Sequence, residues 1–112
     1  MTYRMDEDDR VTFAIEKLLD PGEAWRPLVR DLVTRWPDSP PLEIVFALVS
    51  ASVAIETNFA HGSPARDGAA QGYRLAALLS VDLYAMETLG IPRKHARSFL
   101  SYWAIDPFFS RL

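Results

Sequence analysis

Proline and glycine punctuate this chain in clusters, and the clusters fix how far any regular element can run. Pro21-Gly22, Pro37 with Pro40-Pro41, the stretch from Gly62 to Gly68, Gly90 with Pro92, and Pro107 leave intervals of helical length between them. Proline removes an amide donor and fixes φ, so a helix ends before it or starts at it. Between the breaks, apolar residues recur every three or four positions, and no interval alternates strictly as a half-buried strand does. The pattern predicts an all-α protein, a compact bundle of about five helices with the third and fourth central. With 112 residues and 49% hydrophobic content, one core suffices, and residues 1–112 read as a single helical domain.

The first helix is expected over about Asp8 to Leu19, with Val11, Ala14, Ile15, Leu18 and Leu19 on one face. In the second, Trp25, Leu28, Val29, Leu32, Val33 and Trp36 share a stripe, and Pro27 implies either a tight single turn before it or a kink, with regular helix only from Pro27 onward. The third runs from the Pro40-Pro41 start to about Ala60. Val45, Leu48, Val49, Ser52, Ile55 and Phe59 are its expected apolar side, with Ala47 among the residues on a smaller, more polar side. The fourth begins near Asp67 or Gly68, runs through Leu89 and takes Gly90 as its C-cap. The fifth starts at Ile91-Pro92 and ends before Asp106-Pro107.

Composition narrows the function classes. A net charge of -3 with 24% charged residues argues against a chain that coats nucleic acid nonspecifically. Cysteine is absent, which excludes disulfides, thiolate metal sites and a cysteine nucleophile. The N-terminal run Asp6-Glu7-Asp8-Asp9 is the opposite of a basic leader, and Leu42 to Ile55 reads as too short and too polar for a bilayer span, so a cytoplasmic location is expected. Two histidines and no adjacent nucleophile and base give no catalytic residue, metal site or cofactor to assign.

Three groups of residues stand out. Arg93, Lys94, His95 and Arg97 crowd the expected start of the fifth helix, where backbone donors favour an anion. Exposed acids such as Asp6 to Asp9 would offset the same charges. With Leu89-Gly90-Ile91-Pro92 as a tight turn, residues 83–100 resemble a helix-turn-helix, which implies DNA contact through Arg93, Lys94 and Arg97. The net acidity disfavours that reading. Glu56, Arg74 and Asp82 are expected beside apolar neighbours, with Glu56 buried and paired to Arg74, either as a structural bridge or as a small-ligand site. Tyr102, Trp103, Phe108 and Phe109 form an aromatic C-terminal group that either packs on the core or meets another surface.

The leading expectation is a non-enzymatic interaction or assembly module, a homo-oligomer that meets itself or another protein through Tyr102, Trp103, Phe108 and Phe109. No membrane partner is expected.

Overall fold

The computed structural model describes residues 2–112, with side chains from residue 7 onward. Six helices and no strand occur among the described residues: α1 (Thr2–Leu19), α2 (Leu28–Arg35), α3 (Pro41–Asn58), α4 (Ala65–Leu89), α5 (Ser98–Trp103) and α6 (Phe108–Arg111). The helices α3 and α4 share the most extensive contact, and α1 packs across both. Ser52 of α3 lies against Gly72 of α4, while Leu42 meets Leu83 and Tyr84, so the two helices run antiparallel. Arg10 meets Glu43 and Leu18 meets Gly72, which sets α1 in the same direction as α3.

Local sequence explains most boundaries. Pro27 occupies the N-cap of α2, and the four residues Leu28, Val29, Leu32 and Val33 behind it are all buried. Pro41 is the first residue of α3, where its missing amide costs nothing. Gly90 closes α4 with φ 71, a left-handed conformation that side chains other than glycine seldom adopt. Two further glycines serve packing. A methyl group on Gly68 would run into the backbone carbonyl of Leu18, and one on Gly72 into Ser52 Oγ and Leu18 Cδ1. Glycine costs about 1 kcal/mol against alanine within a helix, and here the close approach of α1 and α3 to α4 offsets it.

Three expectations need correction. The helix α1 starts at Thr2, so Asp8 and Asp9 lie inside it rather than at its beginning. The expected fifth helix is much shorter. Residues 91–97 are irregular because their amides are taken elsewhere: Ala96 N donates to Ser39 O at 2.7 Å and Arg97 N to Pro37 O at 3.0 Å. Regular helix begins only at Ser98. The third correction concerns α3. Its buried residues are Pro41, Ile44, Ala47, Leu48, Ala51, Ser52 and Ile55, whereas Val49 and Phe59, expected inside, are exposed. By length and composition α3 could also cross a membrane, contrary to the expectation from its sequence; 39% of it is buried in this fold.

A single cluster of buried side chains links all six helices, with Leu18, Leu28, Leu32, Ile44, Leu48, Leu75, Leu79, Met86, Phe99 and Phe109 among its members. The C-terminal aromatics finish it. Phe99 and Trp103 stack with centroids 5.6 Å apart, Trp103 meets Phe109 at 5.4 Å, and Phe109 meets Phe108 edge-on at 5.2 Å. Aromatic pairs at such separations add about 0.5–1.5 kcal/mol each beyond their buried area.

Candidate functional site

The aromatic C-terminal group does not form a surface. Tyr102, Trp103 and Phe109 are buried within the chain's own core, and of the expected contact residues only Phe108 is partly open, at 41%. The physical reason is the break at Asp106-Pro107, which turns the chain back so that α6 lies against α2 and α5. The Asp106 carboxylate accepts from the Phe108 amide, fixing that turn.

Glu56, Arg74 and Asp82 are not brought together. Glu56 is exposed and pairs with Arg66 at 3.9 Å rather than with Arg74. Its carboxylate also accepts a 2.5 Å hydrogen bond from the Tyr73 hydroxyl, and that bond is the main reason the Tyr73 pKa is raised. Arg74 is exposed, and among the described residues it joins no ion pair. The expectation of a buried Glu56–Arg74 bridge fails because α3 is rotated relative to the assumed face.

Asp82 alone is buried, and its partner is Trp103, whose Nε1 donates to Oδ2 at 3.0 Å. Burial pushes the Asp82 carboxyl above the usual carboxylate range, the indole N–H pulls it back in part, and nearby Asp106 raises it further. Tyr102, which donates to Asp106 at 3.4 Å, has its phenol pKa raised, first by burial and then by the two aspartates. This cluster locks α5 to α4. Its sequence signal was the position of Asp82 itself, three residues after Leu79 and four before Met86, both fully buried.

The basic segment is irregular chain rather than a helix start. Arg93 pairs with Glu87 at 3.7 Å, and Arg97 pairs with Asp38. The imidazole of His95 lies 3.2 Å from the Asp38 carbonyl. A helix-turn-helix would carry these cations on an outgoing helix, but α5 follows them, has only six residues and buries Phe99, Tyr102 and Trp103. The expected partners Glu7, Asp8 and Asp9 form no ion pair with them; the side chain of Asp6 lies outside the described residues. Among the described residues Lys94 has no ion-pair partner, and it borders an apolar groove with Leu42, Leu83, Tyr84, Glu87 and Arg93.

That groove is one end of a feature that sequence reasoning missed. Leu42, Phe46, Val49 and Val53 are 68%, 51%, 36% and 48% exposed, and they follow one another at steps of four, three and four residues. On the adjoining side of α4, Ala70, Ala77, Ser80, Val81 and Tyr84 are also exposed. The result is a two-helix face with apolar and small residues along its middle. Charge gathers at its ends, with Glu56 and Arg66 at one and Glu87, Arg93 and Lys94 at the other, while Arg74 lies between Ala70 and Ala77 on α4 and Glu7 and Asp8 of α1 border Phe46. Scattered exposed apolar residues are normal, but a contiguous run of several hundred Å² marks a contact surface in many proteins. Set against family models, curated proteins and solved structures, the chain matches none of them.

Proposed function

We propose that this protein is a non-enzymatic interaction module that works through the outer face of α3 and α4. The observation that carries the reading is the run of Leu42, Phe46, Val49 and Val53, all left open to solvent on a helix whose opposite side is fully packed. Steps of four and three residues are those by which one helix seats its side chains between those of another. None of these four side chains carries a charge, so seating them against a partner desolvates no ion of their own.

Site-specific photo-crosslinking in cells tests this reading. A photoreactive residue at Phe46 or Val53 is expected to give protein adducts, while the same residue at exposed Thr34 on α2 gives none. Equal labelling at all three positions, or labelling at none, defeats the proposal.

A further inference from the structure

We infer that the occupant of this face is a second copy of the same chain, laid across it so that α3 of each copy covers α4 of the other. The inference rests on the interaction reading above and adds to it the identity of the partner. Three observations carry it.

The first is size. The uncovered parts of Leu42, Phe46, Val49, Val53, Val81 and Tyr84 amount to roughly 600 Å², and the small residues between them add to this, approaching the ~800 Å² per partner of a standard interface. This face alone therefore supplies most of the area that a standard dimer contact covers.

The second is shape. The α3 side of the face carries large residues, and the middle of the α4 side carries small ones, Ala77 and Ser80, with Arg74 before them and Val81 and Tyr84 after. Counting along the antiparallel pair from Leu42 beside Tyr84, Phe46 stands level with Ser80 and Val49 with Ala77. A two-fold axis parallel to the helices keeps each level and exchanges the two sides. Phe46 of one copy then meets Ser80 of the other, and Val49 meets Ala77, so large faces small at these two levels on both halves at once, while Leu42 meets Tyr84. Isologous contacts of this kind close as dimers.

The third is charge. The same axis brings like ends together, so Glu87 of one copy lies at the same end as Lys94 of the other. Lys94 lacks an ion-pair partner among the described residues, and Glu87 is held only at 3.7 Å by Arg93. This end thus holds both members of a complementary pair.

Light scattering on the purified full chain from micromolar to several hundred micromolar, in wild type, Val53→Glu and Leu42→Lys, tests the inference. The expected result is a mass of two chains for wild type. For the variants we expect a mass of one chain at the same concentrations, with far-UV spectrum unchanged and a thermal midpoint that no longer rises with protein concentration. Leu42, at 68% exposure, supplies a folded variant should Val53→Glu not fold. Reversal of Lys94 to Glu is expected to weaken dimerisation at least several-fold, and pairing it with Glu87→Lys restores it.

A wild-type monomer throughout the range overturns the inference. If Phe46 photo-adducts to other proteins persist in that case, the interaction reading survives without self-association; if they are absent, both fall. A dimer insensitive to both variants places the contact elsewhere and also overturns it. So does a monomer that floats with vesicles of neutral phospholipid, since the face then belongs to a lipid surface.

Discussion

The two sides of α3 carry the same kind of residue and have opposite fates. Ile44, Leu48, Ala51 and Ile55 follow one another at steps of four, three and four residues, and all are within 1% of complete burial. Leu42, Phe46, Val49 and Val53 follow the same steps two residues out of register and stay open. The inner stripe meets α1 and α4, whose small and glycine residues let the backbones close in. The outer stripe only borders Leu83 and Tyr84 of α4 at Leu42 and the first turns of α1 at Phe46, and no element of the chain covers it. Periodicity shows that a stripe can be buried; only the neighbours decide whether it is.

The sharpest way to break the comparison is to remove a side chain from the inner stripe. Leu48→Ala is expected to destabilise the fold by about 2–5 kcal/mol, because the site is fully packed and relaxes only in part. Urea unfolding measures it, and a loss below about 1 kcal/mol would mean the inner stripe is no better packed than the outer.

Gly72→Ala attacks the closeness of α4 to the same stripe. The added methyl meets Ser52 Oγ and Leu18 Cδ1, and the strain of overpacking is expected to cost about 1–3 kcal/mol despite alanine's better helix propensity. A stabilised variant would show that the helices can separate freely.

Asp82 tests how firmly the other side of α4 is held. Asp82→Ala strands the buried Trp103 N–H and is expected to cost about 1–3 kcal/mol. The pH dependence has a definite sign. Because burial raises the Asp82 pKa in the folded chain, the folded state binds its proton more tightly than the unfolded state does. This contribution to stability is complete below the ordinary carboxylate range and is lost as pH rises through the raised pKa. Asp82→Asn lacks it, so the variant should gain on wild type across that interval. A constant difference between the two, followed by thermal melts from acid to neutral pH, would remove Asp82 as the source.

The smallest effect belongs to the outer stripe. Val53→Asp in the monomeric form is expected to change stability by no more than about 0.5 kcal/mol, as surface substitutions usually do. Measured at concentrations where the chain is monomeric, a loss comparable to that of Leu48→Ala would erase the distinction between the two sides.

These two stripes also explain what the sequence could convey. Gly90 as the C-cap of α4, the delay of α2 to within a residue of Pro27, and the central pair of helices were all legible, the first two because they rest on local backbone chemistry. The face of α3 was not. A helix apolar nearly all round offers two equivalent choices, and choosing the wrong one put Glu56 in the core and Val49 with it. The irregular 91–97 segment escaped for a different reason. Its residues are compatible with helix, and the acceptors that capture Ala96 and Arg97 lie far away in sequence, at Ser39 and Pro37. Asp82 was placed correctly by its buried neighbours, but nothing local could name Trp103 as its partner.

Those two long-range hydrogen bonds also bear on how the molecule comes apart. The joint between α2 and α3 is tied through backbone to the joint between α4 and α5, with Arg97 and Asp38 clasped beside it. Closing such a loop spends chain entropy that no local contact returns, so the tie belongs to the last stage of folding rather than the first. Once made, it couples the chain's final residues to its middle. Fraying from the C-terminus can release α6 and α5 but is checked at Arg97, and an opening that passes this point also loosens Pro37 to Ser39, the segment from which α3 starts. Beyond the tie, local opening at the C-terminus is thereby converted into a larger, costlier and more cooperative event.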